Sequence, residues 1–526
     1  MLLIRYCAVP RAQFLIRTSS PENTHDAASM HDAAILESVA QLLHEQSPAT
    51  PTPFLFNLPM KIGGLGLIKS TESNAEAFLA SLADSLHHIR ILGSDVNSAV
   101  DSFLDPLPDC IVPSPLRPAV SPKVLLDNFW NTINDAAESC DDPSHVMTDE
   151  VRKSIPVRID RLEKTEPKLQ HRILQAKMAV KKTQVWDTLA PAIKARIISQ
   201  AQRGASAFLL AVPSEKSLRI SNEALSLHLS RWIGSTSLAR EDAEMAEACD
   251  SKNARSSVAQ HKGGGSTRRH DMMRDCLFLC ARDAGYCVTK EPRAENPDEF
   301  GQGGPDLKVF DYPDFDQICF FEVAVINPCC HDTVLRASRT PLHAARVRQN
   351  TKESKYGSKA SNINMGLRRT VFETTGAMGP DLLAILKRAS FKFRNTYGKR
   401  DAAVAWSGAS FVSYWMQRMS IDMTHGLQFM REAQQHKASI SKAIRMARQA
   451  PCAPKKSMVA KRVTMGGLVG LFPGAQLRSQ RASPEPSPSR PHHPGATASQ
   501  VWQADHALQG SPPQEGSDPS PILSQQ

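Results

Sequence analysis

A single carboxylate in the middle of an apolar run restricts the fold of this chain more than any other feature of its sequence. The run covers residues 318–326, and Glu322 stands at its centre. Its isoleucine, phenylalanine and valine residues favour a β-strand. A carboxylate inside a β-core is unfavourable unless a cation neutralises it. The sequence therefore predicts a divalent metal ion beside Glu322, with a solvent-facing glutamate on an edge strand as the alternative.

A second carboxylate, Asp306, stands just before the preceding strand. Gly304-Pro305-Asp306-Leu307 leads into a predicted strand at 307–310, and an acidic hairpin joins that strand to 318–326. Taken alone, an aspartate after a proline is more often a turn or cap residue. On neighbouring strands, the two carboxylates predict a Mg²⁺ or Mn²⁺ site, which suits phosphodiester hydrolysis. Glu291 is a third candidate metal ligand, with an exposed loop carboxylate as its alternative.

Two lysines further along the chain share one face of a predicted helix. Lys355 and Tyr356 follow Lys352 by three and four residues, which places all three side chains on the same side of the helix. A lysine aimed at a scissile phosphate can orient the attacking water and offset the developing charge. Solvated lysines and a packing tyrosine are the alternatives. His270 is a further candidate site residue, and its alternative is a core or capping histidine.

The charges are strongly segregated along the second half of the chain. Residues 291–322 contain nine Asp and Glu against two Lys and Arg, a net charge of −7. Residues 336–400 contain fifteen Lys and Arg against three Asp and Glu, a net charge of +12, and the whole chain carries +10. An acidic metal pocket beside a cationic strip is what a nuclease needs, because the strip can hold the phosphate backbone. Phosphate contacts are predicted for Arg346, Arg348, Lys359, Arg368 and Arg369.

Composition and periodicity divide the chain into six segments. They are a helical segment at 1–110, a Pro-, Ser- and Asp-rich linker at 111–150, a basic helical connector at 151–235, a flexible linker at 236–267, a globular domain at 268–450 and a disordered Pro-, Ser- and Gln-rich tail at 451–526. In the globular domain we expect a helix at 268–285, then strands at 286–290, 307–310 and 318–326, and further helices after 326. The predicted fold class is mixed α/β, with a mostly helical N-terminal half and then a mixed sheet flanked by helices.

The N-terminal half is expected to be helical around one Gly-rich turn. Apolar residues recur at helical spacing over 28–43, 75–86, 169–185 and 190–210, and the three glycines within 63–66 require a backbone turn. No run approaches the length of a membrane span, and the first residues lack a signal-peptide pattern. The 11 cysteines are scattered, which is typical of a reducing compartment. We therefore expect a protein that is neither secreted nor membrane-bound.

The motifs of the globular domain occur in an order that resembles the PD-(D/E)XK nuclease superfamily. More narrowly, they resemble the restriction-endonuclease-like domain of site-specific non-LTR retrotransposons. The motifs are Arg269-His270-Asp271, Ala284-Gly285-Tyr286-Cys287-Val288, Gly304-Pro305-Asp306-Leu307, Phe321-Glu322-Val323-Ala324-Val325, Lys352-x-x-Lys355-Tyr356 and Phe372-Glu373-Thr374-Thr375-Gly376. Upstream, residues 10–17, 31–33 and 58–67 resemble the thumb-like segment that follows the reverse-transcriptase palm.

The resemblance implies a restriction-endonuclease-like sheet and a Mg²⁺-dependent DNA endonuclease that nicks target DNA. Asp306 and Glu322 would bind the metal, and Lys352 or Lys355 would be catalytic, because Ala324 stands where the strict motif has a lysine. Only Cys249 and His261 remain of the family's zinc knuckle, so no structural zinc is expected. The partners implied are DNA and the element's RNA, in the nucleus, with the cytoplasm as the alternative location.

Two further functions compete with an active endonuclease. The polymerase palm motif is missing, so polymerisation would need a palm supplied by another chain. A remnant of this kind could bind nucleic acid through its basic strip without cleaving it. A helical interaction protein with no role on DNA is the third reading, and it would scatter the basic residues over the surface. Convergence of Asp306, Glu322 and a lysine on one site distinguishes the first function from the others.

Overall fold

Helices form most of the described chain, and a four-stranded sheet lies in its C-terminal half. The computed structural model describes residues 1–43, 53–105, 120–138, 153, 155–157, 169–235, 264–291, 304–313, 317–397 and 408–449. The predicted tail at 451–526 and most of the predicted flexible linker lie outside the described residues, and so do Cys249 and His261. No helix within the described residues is both long enough and apolar enough to span a membrane.

The α-helices of the described residues confirm most of the predicted helical segments. They are α1 Gln13–Thr18, α2 Pro21–Leu43, α3 Ser70–Arg90, α4 Ser94–Leu104, α5 Pro122–Glu138, α6 Leu169–Trp186, α7 Pro191–Gln200, α8 Asn222–Ile233, α9 Gly265–Asp283, α10 Val334–Ala337, α11 His343–Asn362, α12 Pro380–Tyr397 and α13 Phe411–Gln449. Short 3₁₀ or π turns cover Ile4–Ala8, Val9–Ala12, Pro53–Phe56, Met60–Ile62, Ala205–Leu209 and Lys216–Leu218. The predictions at 28–43, 75–86 and 169–185 lie within α2, α3 and α6.

The predicted helix at 190–210 is wrong in its second half. Helix α7 ends at Gln200, and a separate 3₁₀ helix begins at Ala205. Between them Gly204 has φ +90°, and a Cβ there would lie 2.7 Å from Cγ of Met378. The Met378 amide also donates to the carbonyl of Arg203 at 3.0 Å. The break therefore lets a distant segment approach the backbone, which helical periodicity alone does not reveal.

Part of the predicted linker at 111–150 is a helix with a buried face. Helix α5 places Leu126, Trp130 and Ile133 in a core that also contains residues of α3 and α6. The indole Nε1 of Trp130 donates to the carbonyl of Pro156 at 2.8 Å. The proline-, serine- and aspartate-rich composition of the surrounding segment concealed this apolar stripe, whose burial stabilises the helix.

The sheet contains the three predicted strands and one strand that was not predicted. Its strands are β1 Val288–Lys290, β2 Leu307–Tyr312, β3 Gln317–Ile326 and β4 Gly366–Glu373, in the spatial order β1-β2-β3-β4. The pairs β1–β2 and β2–β3 are antiparallel, and β3–β4 is parallel. Sequence periodicity predicted only helices after 326, because the two arginines at 368 and 369 interrupt the apolar pattern of β4.

Strand β3 is buried on both faces, which explains its continuous apolar run. Cys319, Phe321 and Val323 lie in a core formed with α9, α12 and α13. The alternate residues Phe320 and Ala324 pack on the other face, against residues of α11 and β4. Side chains alternate along a strand, so Glu322 belongs to the same face as Phe320 and Ala324. The fold therefore presents Glu322 to helix α11.

The segments expected to form separate N-terminal and C-terminal domains share one apolar core. This core contains Val39 and Leu43 of α2, Trp232 of α8, Ala377 of the segment after β4, and Ile421 of α13. The described residues up to Gln449 accordingly belong to one compact unit. Within this unit, Asp32 caps α3 by accepting hydrogen bonds from the backbone amides of Ser70 and Thr71 at 2.7 and 3.0 Å.

The Gly-rich turn predicted within 58–67 is confirmed. Gly63 and Gly66 both have positive φ, at +97° and +73°. A Cβ at Gly63 would lie 2.6 Å from the carbonyl oxygen of Ile197 in α7, so glycine is required for the close approach as well as for the turn. The carbonyl of Gly63 accepts a hydrogen bond from the indole of Trp232 at 3.1 Å. The turn therefore joins the N-terminal segment to α7 and α8.

Candidate active site

The β2–β3 hairpin brings the two predicted metal-binding carboxylates together. Leu307 pairs with Phe321 in the antiparallel register, so Asp306 lies opposite Glu322. Oδ2 of Asp306 accepts a hydrogen bond from the backbone amide of Val323 at 2.7 Å. The carbonyl of Asp306 accepts another from the amide of Glu291 at 2.8 Å. Asp306 is therefore held between β1 and β3 beside Glu322, and the prediction of adjacent strands is confirmed.

Glu322 is buried and incompletely bonded. Its exposed fraction is 3%, and Oε1 accepts a hydrogen bond from Nζ of Lys352. Oε2 is buried and has no hydrogen-bond partner among the described residues. Burial raises the pKa of Glu322 to about 7, with repulsion from Asp306 as the second cause, although Lys352 opposes the shift. The alternative of a solvent-facing glutamate on an edge strand is wrong, because helix α11 covers this face of β3.

Lys352 is the lysine that reaches the carboxylates. Its side chain, on α11, is 14% exposed and forms the ion pair with Glu322. Lys355, one turn further on, is exposed, and its Nζ lies 4.6 Å from the ring centroid of Tyr356. Tyr356 is buried in a cluster with Phe320, which supports its alternative reading as a packing residue. Of the two predicted lysines, the structure brings only Lys352 to the Asp306–Glu322 pair.

His270 lies on the other side of Asp306. It projects from α9, and its Nε2 is 3.4 Å from Oδ2 of Asp306 and 3.2 Å from the carbonyl oxygen of Val323. The hydrogen bond to Asp306 raises the pKa of His270, and burial opposes it. The histidine is thus a partner of a candidate metal ligand. The sequence marked it only through the Arg269-His270-Asp271 motif.

Glu291 lies near the pair, but its carboxylate is directed elsewhere. The side chain is 48% exposed and forms an ion pair with Arg274 of α9. The contact that links Glu291 to the site is the backbone hydrogen bond to Asp306. No group of three or more His, Cys, Asp or Glu side chains in the described ranges is arranged to hold a metal ion. The structure therefore brings together two of the three predicted acidic ligands.

The chemistry of the Asp306–Glu322 pair fits a hard divalent cation. Mg²⁺ takes oxygen ligands and is commonly held by one or two carboxylates, while waters and substrate phosphates complete its coordination. The pair offers carboxylate oxygens only, and Oε2 of Glu322 is buried without a hydrogen-bond donor among the described residues. A cation there would satisfy that oxygen and relieve the repulsion between the two carboxylates. Asp306 and Glu322 are the residues that could hold it.

A basic face of helix α11 extends from the site. Arg348, Lys352, Lys355 and Lys359 follow one another at intervals of four, three and four residues, which places them on one side of the helix. Three of the four are exposed, and Lys352 alone is turned into the site. This spacing was present in the sequence and was missed, because only Lys352 and Lys355 were considered together. Arg346 is also exposed, but it lies on another side of α11.

The two predicted phosphate-binding arginines of β4 have surroundings that differ from those of the exposed basic residues of α11. Arg369 is half-buried and pairs with Glu353 at 3.2 Å and with Asp381 at 3.0 Å. Its guanidinium therefore connects β4 to α11 and α12. Arg368 points to the opposite face of the sheet, 5.9 Å from the ring centroid of Tyr312. The structure thus leaves Arg348, Lys355 and Lys359 of α11 exposed, whereas it engages Arg369 in ion pairs.

A second buried carboxylate on the sheet, Glu373, has a different environment. It ends β4 and is 1% exposed. Oε2 accepts a hydrogen bond from the hydroxyl of Ser199, and Oε1 accepts one from the amide of Ala345 at 3.3 Å. Burial raises the pKa of Glu373, and these two hydrogen bonds oppose the rise. Both oxygens of Glu373 are satisfied by neutral donors, unlike those of Glu322.

Comparison with known proteins offers no relative from which a role could be transferred to these residues. No protein-family model matches the chain, and no curated protein is significantly similar to it in sequence. The arrangement of Asp306, Glu322, Lys352 and His270 is therefore the basis on which a function can be argued.

Proposed function

We propose that the chain is a divalent-metal-dependent endonuclease that hydrolyses phosphodiester bonds in DNA. The observation that carries the proposal is the state of Glu322. Its carboxylate is buried in the sheet, it lies beside Asp306 and Lys352, and one of its oxygens has no hydrogen-bond partner in the described structure. Structural carboxylates are normally completed within the protein. An incomplete one in a charged cluster is typical of a functional site.

Each residue of the cluster has a distinct role in the proposed reaction. Asp306 and Glu322 would hold Mg²⁺ or Mn²⁺, which when bound polarises the phosphate and lowers the pKa of water. Lys352 keeps a positive charge next to Glu322, where it can donate a hydrogen bond to a phosphate oxygen and offset the developing negative charge. His270 orients Asp306 from its other side. The exposed residues of the basic face of α11 would position the nucleic acid backbone.

The proposed reaction consumes one water molecule. The water oxygen forms a bond to phosphorus, and the bond from phosphorus to one of the two deoxyribose oxygens breaks. One water proton ends on the leaving oxygen, and the other is released from the new phosphate monoester to solvent. Lys352 does not need to lose its proton at any step, because its charge and hydrogen bonds are what stabilise the phosphorane-like transition state.

The wider context of the proposal is a restriction-endonuclease-like domain from a non-LTR retroelement. A mixed sheet with helices on both faces is compatible with that fold. The target would then be DNA in the nucleus, with the element's RNA as a further partner. Any polymerase activity would depend on a palm carried by another chain.

The decisive experiment is a nicking assay on supercoiled plasmid with the full chain and Mg²⁺. We expect nicking that Asp306→Asn abolishes, since the amide retains an acceptor for the Val323 amide but loses the charge. Asp311→Asn is the matched control, because Asp311 is an exposed acid in the same hairpin with φ +58°, a conformation that asparagine tolerates. Equal nicking by both variants would contradict the proposal.

A nucleic-acid-binding protein without cleavage is the second candidate function. The observation that favours it is the exposed basic face of α11, which needs no metal to hold phosphates. Under this alternative, the plasmid is bound but stays intact with Mg²⁺ and with Mn²⁺. Lys359→Gln would then weaken binding. The slope of log affinity against log salt concentration would become shallower by about one released counterion.

A further inference from the structure

A cavity of about 560 Å³ lies at the carboxyl ends of the parallel strands β3 and β4. Asn327, which follows β3, and Thr374, which follows β4, form one wall. Residues of α7, α8, α9 and α13 form the others. Ligand sites in open α/β sheets lie beyond the carboxyl ends of the strands, and cavities of 300–1,000 Å³ hold small organic ligands. Its position and size are those of a ligand site.

Three arginines from three different helices line this cavity. They are Arg196 of α7, Arg231 of α8 and Arg269 of α9. No aspartate or glutamate is among the described residues that line it. Helix α9 separates the cavity from the candidate active site, since Arg269 faces the cavity and His270 contacts Asp306. The cavity therefore concentrates positive charge at a place distinct from the acidic cluster.

Two of these arginines have buried nitrogen atoms that lack hydrogen-bond partners among the described residues. Arg269 is 8% exposed, and its Nε has no hydrogen-bond partner within the part of the chain that the structure describes. The same is true of Nε and Nη2 of Arg196. Burial and repulsion from Arg231 lower the pKa of Arg269 to about 10, and burial lowers that of Arg196. Uncompensated buried charge is strongly unfavourable, so an anion would stabilise this arrangement.

Two glycines, one inside a helix and one just after a helix, make room for these arginine side chains. Gly426 lies inside α13, and a Cβ there would be 2.5 Å from Cγ of Arg269. Gly234 ends α8 with φ +70°, and a Cβ there would overlap the guanidinium of Arg196. A glycine in a helix interior reduces helix stability relative to alanine, so its presence at 426 is explained by the passage of Arg269. The arginines are thus built into the cavity.

The remaining walls provide neutral polar atoms and an apolar surface. His228 is 4% exposed, and burial, reinforced by Arg231, lowers its pKa to about 3, so the ring is uncharged. Both of its ring nitrogens lack hydrogen-bond partners among the described residues. Leu427 and Met430 of α13 contribute apolar surface. A ligand that combines an anionic group with an organic group of moderate size matches these walls.

We infer that this cavity binds a phosphate-bearing ligand of nucleotide size, with the guanidinium groups of Arg196, Arg231 and Arg269 around the phosphate. Guanidinium groups form paired, charge-assisted hydrogen bonds with phosphate oxygens, which favours phosphate over a carboxylate or chloride. The inference does not depend on the proposed nuclease function. The phosphate could belong to a free mononucleotide or to the phosphorylated end of a nucleic acid strand.

Titration calorimetry on the full chain tests the inference with four probes. They are inorganic phosphate, deoxyadenosine 5′-monophosphate, and one short oligonucleotide with and without a 5′-phosphate. We expect the mononucleotide to bind more tightly than inorganic phosphate. If the phosphate belongs to a strand end instead, we expect the 5′-phosphate to tighten binding of the oligonucleotide, with no difference between the mononucleotide and inorganic phosphate. The inference is overturned if no probe binds, or if the mononucleotide binds no more tightly than inorganic phosphate and the 5′-phosphate does not strengthen binding of the oligonucleotide.

Arg269→Gln and its neighbour Arg268→Gln provide the matched variants. Arg268 is exposed and stacks on Phe429 outside the cavity. We expect Arg269→Gln to weaken binding of the preferred probe at least tenfold and Arg268→Gln to leave it unchanged. Without ligand, Arg269→Gln should raise Tm, because it removes a buried charge; this result also shows that the variant folds. Equal loss in both variants would contradict the assignment, and binding retained in Asp306→Asn would separate this site from the active site.

Discussion

Glu322 and Glu373 lie on the neighbouring parallel strands β3 and β4, and both are almost completely buried, yet their surroundings differ. The exposed fractions are 3% and 1%, and burial raises both pKa values. Glu373 is completed by neutral donors, the hydroxyl of Ser199 and the amide of Ala345. Glu322 has a charged donor, Lys352, on one oxygen and no partner among the described residues on the other. It also lies beside a second carboxylate.

The difference shows which property of a buried carboxylate points to chemistry. Burial by itself does not, because Glu373 is the more buried of the two and is hydrogen-bonded like a structural residue. What favours a functional role for Glu322 is the charge assembled around it, together with an oxygen that has no donor among the described residues. A metal ion would complete this cluster, whereas it would have to displace existing hydrogen bonds at Glu373.

The largest expected effect is on nicking activity. Glu322→Gln should reduce the Mg²⁺-dependent nicking rate by about 10³-fold, since removing a metal ligand removes several kcal/mol of transition-state stabilisation and each 1.36 kcal/mol is tenfold. Glu373→Gln retains an oxygen that accepts a hydrogen bond from Ser199 and should change the rate less than about fivefold. Initial rates on supercoiled plasmid measure both. A comparable loss in the two variants would erase the distinction between these carboxylates.

A smaller effect is expected at the two lysines of α11. Lys352→Met removes the positive charge next to Glu322 and should lower the nicking rate by about 10²-fold. Lys355→Met removes an exposed charge that contacts the ring of Tyr356, so we expect a change of less than about threefold in the rate at saturating DNA. Single-turnover rates at saturating plasmid separate this effect from weaker binding. A larger loss at Lys355 would transfer the proposed catalytic role from Lys352 to Lys355.

The pH dependence of the nicking rate should also distinguish Glu322 from Glu373. The pKa of Glu322 is raised to about 7, so below that pH the group is protonated and cannot serve as an anionic ligand. Nicking at limiting Mg²⁺ should fall about tenfold for each pH unit below 7 and level off above it. Glu373→Gln should keep this profile. A rate independent of pH between 5.5 and 8 in the unmodified chain would argue against Glu322 as a ligand.

The smallest expected effect is on thermal stability. The folded pKa of Glu322 lies above its usual value of 4.5, so its contribution to stability is present below pH 4.5 and is lost as pH rises through about 7. Above pH 7 without metal, Glu322→Gln should therefore raise Tm by about 2 °C or more. Saturating Mg²⁺ should raise Tm by a similar amount in the unmodified chain and in Glu373→Gln, but not in Glu322→Gln. Calorimetry at pH 8 with and without Mg²⁺ measures both shifts.

Local sequence patterns were sufficient for much of the sheet and part of the site. The apolar run around Glu322 predicted β3, and the Pro305-Asp306 turn with the acidic hairpin predicted its antiparallel neighbour. Helical spacing at 352, 355 and 356 predicted α11. These predictions succeeded because strand and helix periodicity is encoded within a few residues and both faces of β3 are apolar. Strand β4 was not predicted, because its arginine pair breaks the apolar pattern on which such predictions depend.

Other features depended on contacts between distant parts of the chain. The break at Gly204 reflects the approach of Met378, and the helix inside the predicted linker reflects packing of Trp130 against α3 and α6. The sequence also offered no sign that Arg196, Arg231 and Arg269 line one cavity, since they belong to three different helices and successive arginines lie more than 30 residues apart in the sequence.

The amino-acid sequence was therefore enough to identify the carboxylates, the lysines and the elements that carry them. Only the tertiary structure decided that Lys352 rather than Lys355 reaches Glu322, that Glu291 pairs with Arg274, and that Glu373 is completed by Ser199. The physical reason is that a side chain's element follows from its neighbours along the chain, whereas its charge environment follows from the groups that packing brings within hydrogen-bond distance. Those groups lie tens to more than a hundred residues away.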